Sequence, residues 1–510
     1  MKILFLARHY TYLRLFESAI EGLAMRGHEV VLAADRKEQI GGQAMIERLA
    51  SRFPNVTLAQ TPRRRDERWV EVARQIRLGI DYLRFLRPEF AQTPHLRARA
   101  RERAPRIVVR WAESPFVGLV GGVIGIRAVL RLMERGLPVP PDVEAFMKAE
   151  APDVVMITPL VDIGSSQLDY LAATRTLGLR TVLPVGSWDY LSSKSLLRDV
   201  PERIIVWNEA QRTEAIEMHG VDPDRLVVTG AQCYDQWFDR QPSRHRDDFC
   251  ARVGLRADRP FVLYLCSSLF RGTTHEPTFV RDWVRAVRSS HDPRLRGIGI
   301  LIRPHPSRLD EWEGIDLSSY DNLRFWGAHP VDDEAKDDYF DSMYHSAAVV
   351  GVNTSAFIEA AVVGAPVHTV LLPHISKDNQ EGTLHFHHLL EVGGGLLRIA
   401  RSFDEHLSLL AESCETTVRP DPKAERFVAS FVRPYGRHEA ATPRFVAAVE
   451  EAATLPAPAR PGLTPLVGRV LLQPVLASLA RGSQAWTTPP RKKRQRKPGA
   501  VAQPGPDLQT

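Results

Sequence analysis

Residues 351–367 read GVNTSAFIEAAVVGAPV, with an amide and two hydroxyls, Asn353, Thr354 and Ser355, ahead of an apolar helical run that holds one carboxylate, Glu359. The apolar stretch AAVVGVN before them reads as a strand that delivers the three polar residues to its carboxyl end, where a helix begins. Unpaired backbone N–H groups and the helix dipole attract anions at such a junction, and the hydroxyls add donors for phosphate oxygens. The same residue types also favour the helix N-cap, so plain capping is the competing reading. Glu359 follows Ser355 by four positions and shares its helix face. A carboxylate inside an apolar run is costly without a hydrogen-bonding partner. Ribose hydroxyls would satisfy it, and so would a neighbouring arginine.

A second group lies at LIRPHPS, residues 301–307. Prolines on either side of His305 stiffen the end of a strand and hold Arg303 and His305 toward whatever lies beyond it. Arg303 suits a diphosphate in fork geometry, and His305 suits a leaving phosphate. The competing reading is a rigid surface turn. A third element, LYLCSSLFRGTTHEPTF, opens from a strand into Ser267 and Ser268, and His275 and Glu276 read as a helix start ahead of Pro277. Toward the N-terminus, His9 follows the first strand, and Asp162 and Asp189 each stand just past a predicted strand. A cleft histidine or carboxylate in that position has the chemistry of a general base. The stretch around Asp189, SWDYLSSKS, adds aromatic rings, serine hydroxyls and Lys194. His385, His387 and His388 do not share a helix face, so they argue for a cleft loop and against a metal site.

The elements that must position these residues alternate regularly. MKILFLA and VVLAA, then strands predicted over 153–158, 180–185, 203–208 and 225–230, are separated by helical patterns such as SSQLDYLAATRTLG. A second alternation puts strands at 260–268, 299–305, 323–327, 347–353 and 366–372, with helices at 277–289, 338–346 and 355–363. The fold class expected is α/β, with two successive doubly wound Rossmann-like domains facing a cleft: 1–240 with a basic insertion over 61–135, then 241–454. The remaining 455–510, rich in proline and containing RKKRQRK, reads as a disordered tail.

With these residues in place, a resemblance can be named. The hydroxyl-rich turn, helix and EAAVVGAPV resemble the nucleotide-binding segment of GT-B glycosyltransferases and of the related UDP-N-acetylglucosamine 2-epimerases. RPHP resembles the KPHP segment of CDP-glycerol glycerophosphotransferases and similar capsule enzymes. The resemblance implies that Asn353–Ser355 bind a diphosphate, that Glu359 holds the ribose, and that Ser267 and Ser268 lie on a phosphate-contacting loop. It also implies a base at the place of His9, although the glycines usual in that loop are missing here. The function implied is sugar transfer from a nucleotide-activated donor to a hydroxyl acceptor, glycan or lipid-linked, in bacterial surface-polysaccharide assembly. A 2-epimerase, a glycerophosphotransferase-like enzyme and a catalytically silent scaffold are the alternatives. The donor would be a co-substrate, and neither a cofactor nor a metal is expected.

Bulk composition narrows the classes further. The 510 residues are 44% apolar and 25% charged, with a formal net charge of +6, ordinary values for a globular protein with a full core. The basic residues crowd 61–135 and RKKRQRK, which points to local polyanion or membrane-surface contact and away from a nucleic-acid-binding body. The insertion, with TPRRRDERW, HLRARARERAPR and SPFVGLVGGVIGIRAVL, reads either as an interfacial amphipathic element on anionic lipid or as a helical hairpin packed on the domain. The four cysteines form no CxxC, and MKILFLARHY reads as a strand, not a signal peptide. A cytoplasmic protein is expected, peripheral at the inner face of the membrane if the insertion docks there.

Overall fold

In the computed structural model, residues 1–460 are described apart from 35–40, 63–66, 92–93, 117–121, 269, 271–274 and 416–418, together with residues 472 and 474. Most of the tail expected over 455–510 therefore lies outside the described residues. The first sheet contains β1 (Lys2–Ala7), β2 (Glu29–Ala34), β3 (Val56–Gln60), β4 (Val154–Thr158), β5 (Arg180–Pro184), β6 (Arg203–Val206) and β7 (Leu226–Val228). The second contains β8 (Phe261–Leu265), β9 (Gly299–Arg303), β10 (Leu323–Phe325), β11 (Ala348–Gly351), β12 (Val367–Val370) and β13 (Arg398–Ala400). Their spatial orders are β3-β2-β1-β4-β5-β6-β7 and β10-β9-β8-β11-β12-β13.

Every described pairing is parallel, with registers such as Ile3↔Val154 and Val349↔Val367. Parallel strands need crossover helices, which cover both sheet faces and turn the strands into continuous apolar runs. KILFLA and FVLYL are such runs, buried at nearly every position. Apolar cores accordingly lie on both faces of each sheet. The expected two-domain, doubly wound α/β fold is present. β3 and β13 were not anticipated: β3 is a half-exposed edge strand and β13 has only three residues, so neither carries the apolar run that marks the others.

The strand order reverses between β1 and β4 in one sheet and between β8 and β11 in the other. Beyond the carboxyl ends at such a reversal the two adjacent connections run to opposite faces, leaving a crevice. His9 and Asp162 follow β1 and β4; Ser267, Ser268 and Asn353–Ser355 follow β8 and β11.

Two segments depart from a plain pair of domains. Helix Ala441–Thr454, grouped by the sequence pattern with the second unit, packs on the first: Phe445, Val446 and Val449 share a core with Ile3, Phe5 and Val182. The insertion between β3 and β4 forms the described helices Glu67–Arg84, Pro94–Arg103, Arg106–Ala112 and Gly122–Arg135, with a core of its own around Ile76, Ile80, Phe85 and Phe90. The first helix is fixed to the N-terminal domain by buried charges: Arg77 Nη2 reaches Asp169 Oδ1 at 2.5 Å, and Asp81 accepts from Ser195, Arg198 and the backbone N–H of Gly164.

Candidate functional site

The helix Ala356–Val363 starts directly beyond the β11 turn and ends at Gly364, whose φ of 85° is the left-handed conformation a C-cap requires. At its start the three polar residues do different things. Thr354 Oγ1 accepts from the backbone N–H of Ala356 at 3.3 Å, which is local capping. Asn353 gives its amide to the loop 379–385, donating to the Asn379 carbonyl and lying 3.2 Å from His385 Nε2. Ser355 is exposed and makes no capping bond with its side chain. Together with Ser268 and the 378–385 loop, these residues line a cavity of about 280 Å³. Its other wall comes from the N-terminal domain and the insertion: Ser187, Trp188, Asp189, Lys194, His95 and Arg99.

One turn along the helix, Glu359 is half-buried and accepts from Tyr339 Oη at 2.9 Å. Burial pushes its carboxyl up to about 7, with Tyr339 and Arg14 pulling the other way. Tyr339 also presents its ring to the Arg303 guanidinium, 5.0 Å from Cζ to the centroid, and Trp326 faces the same guanidinium at 5.4 Å. Arg303 is 5% exposed, and its Nη2 donates to the Ala328 carbonyl at 2.8 Å while Nη1 has no partner. Burial lowers this guanidinium to about 10, with Tyr339 and Asp338 pulling the other way. A buried cation with one unused donor is an incomplete arrangement that an anion would complete.

Two residues that sequence reasoning missed stand beside it. His329 lies just past β10, and Arg14, from the N-terminal domain, brings its Nη1 to within 2.6 Å of His329 Nε2. Burial and the nearby Arg14, His305 and Arg303 lower the His329 imidazole to about 4; burial and Arg308 lower His305 to about 4 as well. Both rings are thus neutral near pH 7, and an anion placed among them would raise their basicity. The signal for His329 was present in the sequence as a second His-Pro after a strand, GAHP after LRFW. Nothing local marks Arg14, because only the closing of one domain on the other brings it there.

The remaining candidates separate by environment. Asp189 accepts from Ser187 Oγ at 2.7 Å and Ser193 Oγ at 2.9 Å, and Lys194 Nζ is 3.4 Å away. Burial opposes its charge, yet Lys194, His385 and the two hydroxyls hold the carboxyl well below the usual range. Asp162 is ion-paired with Arg8. His9 stands at the N-cap position of the short helix Tyr10–Leu13 without a capping bond from its side chain, and its ring lies 4.4 Å from that of Tyr12. Ser267 is turned inward: its backbone N–H donates to Glu276 at 2.9 Å and its hydroxyl at 3.1 Å. Burial raises Glu276 to about 8 against the pull of these bonds and of Tyr264 Oη, which also donates to it at 3.2 Å. The three histidines of the 385–388 stretch face different partners: His385 meets Asn353 and Trp188, His387 meets Glu391, and His388 meets Glu214 at 3.0 Å.

Two parallel Rossmann-like domains with apposed carboxyl ends define the GT-B fold, and the resemblance read from the sequence is met at that level. Among solved structures, the chain is similar to a putative UDP-N-acetylglucosamine 2-epimerase from Listeria monocytogenes, at 13% identity over 90% of this chain and 99% of that one, with a TM-score of 0.50. It is also similar to a glycosyltransferase from Rickettsia africae, at 10% identity over 89% and 99%, TM-score 0.49. A third is the UDP-N-acetylglucosamine 2-epimerase from Neisseria meningitidis bound to UDP-N-acetylglucosamine, at 10% identity over 88% and 100%, TM-score 0.48. At such identities the likeness is one of fold. No protein-family model matches the chain, and no curated protein sequence does.

Proposed function

We propose that the chain is a glycosyltransferase that moves a sugar from a nucleotide-activated donor to a hydroxyl of a glycan or lipid-linked acceptor, as in bacterial surface-polysaccharide assembly. The observation that carries this reading is the buried Arg303 with its unused Nη1, set among His305, His329 and Arg14 and connected through Tyr339 to Glu359. Arg303 and Arg14 neutralise the donor diphosphate, and the two histidines gain protons as it binds. The exposed Ser355 hydroxyl at the start of its helix adds a neutral donor, and the helix dipole points its positive end the same way. Glu359 exchanges its bond with Tyr339 for the ribose hydroxyls. Charge developing on the leaving diphosphate is met by these fixed groups, so neither a metal nor a cofactor is required in this scheme.

The acceptor hydroxyl is activated from the other domain. Asp189, held ionised and fully hydrogen-bonded, is a weak base, and Asp162 is committed to Arg8. His9, at the β1–β4 reversal, is the base in this scheme, and Asp189 with Lys194 orients the acceptor. Incubation with UDP-, CDP- and GDP-sugars plus a glycan acceptor tests the proposal. Acceptor-dependent release of nucleoside diphosphate is expected, and His9→Ala lowers that rate about a hundredfold or more while leaving nucleotide affinity in place. Conversion of UDP-N-acetylglucosamine to its 2-epimer without acceptor, or failure of every donor to react, contradicts it.

A further inference from the structure

The insertion has an outer face that the transfer chemistry does not use. On helix Gly122–Arg135, Leu130 is buried and Val123, Ile126 and Met133 are half-buried against the insertion core. The opposite side leaves Ile124 74% exposed and Val129 and Leu132 more than half exposed. The adjoining helix Arg106–Ala112 does the same, with Val108 inward and Ile107 and the 52% exposed Trp111 outward, and Phe116 follows it at 68%. The two helices touch each other, and both lie over Glu67–Arg84. Large apolar side chains grouped this way on an otherwise charged surface mark an interaction site.

The charges around them are mainly basic, and Glu113, which follows the shorter helix, is paired with Arg101 at 2.7 Å. Arg106 and Arg110 flank Ile107 and Trp111 at the same spacing, and Arg127, Arg131 and Arg135 run along one edge of the longer helix. The one carboxylate on these two helices, Glu134, turns inward to Arg77 at 3.2 Å and Arg198 at 3.4 Å. Burial and the neighbouring Arg127 and Arg135 push the Arg131 guanidinium below its usual range, and Asp199 and Glu134 offset this like-charge row only in part.

We propose that this face is a membrane-docking surface, in which Ile107, Trp111, Phe116, Ile124, Val129 and Leu132 enter the headgroup–acyl boundary of an anionic bilayer while the arginines bind lipid phosphates. The geometry suits a helix lying in the interface: fourteen residues give a rod about 21 Å long, too short to span. No described helix is long and apolar enough to cross a membrane. A second copy of the chain is a poor occupant, since a two-fold contact would set arginine rows against each other. Docking would also have a consequence for the cleft. The preceding helix, Pro94–Arg103, places His95 and Arg99 on the wall of the interdomain cavity, and His95 Nε2 lies 2.6 Å from Asp378 of the other domain. The same insertion therefore joins the bilayer face to the acceptor side of the cavity.

The docking claim stands independently of the transfer chemistry, and sedimentation of the full chain with vesicles tests it. Vesicles of phosphatidylcholine with about 30% phosphatidylglycerol should carry the protein down, pure phosphatidylcholine vesicles should not, and raising salt from about 0.1 M to about 0.5 M should weaken binding. The pair Trp111→Ser and Ile124→Ser, and separately the pair Arg127→Gln and Arg131→Gln, should each reduce partitioning about tenfold with unchanged melting temperature. Both pairs keep the basic run at 491–497. Equal partitioning of both pairs and the unaltered chain assigns the binding to another segment and overturns the proposal. So does a soluble dimer that the Trp111→Ser change dissociates.

Discussion

Glu359 is the residue whose chemistry is most exposed to test. Its carboxyl is raised to about 7 chiefly by burial, so the folded chain binds this proton more tightly than the unfolded chain does. Such a group costs stability as pH rises from the ordinary carboxylate range through about 7, because folding must then bury a charge. Glu359→Gln removes that cost. The variant should gain melting temperature relative to the unaltered chain at pH 8 and gain little at pH 5, while its nucleotide affinity falls; thermal scans at the two pH values check this. An equal shift at both would show that the carboxylate carries no such penalty. The sequence exposed this residue because a lone acid in an apolar run is conspicuous. It did not expose the network around Ser267, whose hydroxyl bonds Glu276 and not the cavity, because a strand followed by two serines is the same pattern whether the hydroxyl points in or out.

At the scale of elements, the β9 and β10 loops hold the cation cluster, and a glycine makes their approach possible. Gly327 has φ of 124°, and a Cβ there would sit 2.5 Å from Arg303 Cζ. Gly327→Ala must therefore displace the guanidinium or strain the backbone, with a cost of about 1–3 kcal/mol expected from the conformation alone. Chemical denaturation should register that loss, and nucleotide binding should weaken along with it. Binding that is unaffected would separate Arg303 from the ligand. The elements themselves were legible where strands are apolar throughout, as in KILFLA and AVVG, and helices carry a periodic face. They were not legible at β13, whose three residues gain their strand conformation from pairing with β12. Nor was the packing of helix Ala441–Thr454 on the first domain, since an amphipathic helix does not encode which of two sheets it covers.

The whole molecule adds what neither domain holds alone. Arg14 reaches His329 across the cleft, Glu17 pairs with Lys336 at 3.1 Å, and Trp188 meets His385 edge-on with centroids 4.8 Å apart. A diphosphate bound at Arg303 would thus be gripped from both domains, with the acceptor side closed by the insertion. That joint grip makes a direct test available: isothermal titration of UDP, CDP and GDP into the unaltered chain, Arg14→Ala and Arg303→Gln. At least one nucleotide should bind, and each variant should weaken it about tenfold or more, as expected for a lost charge-assisted hydrogen bond. Absence of binding by all three nucleotides, or affinity indifferent to both substitutions, would contradict a nucleotide-diphosphate site at this junction.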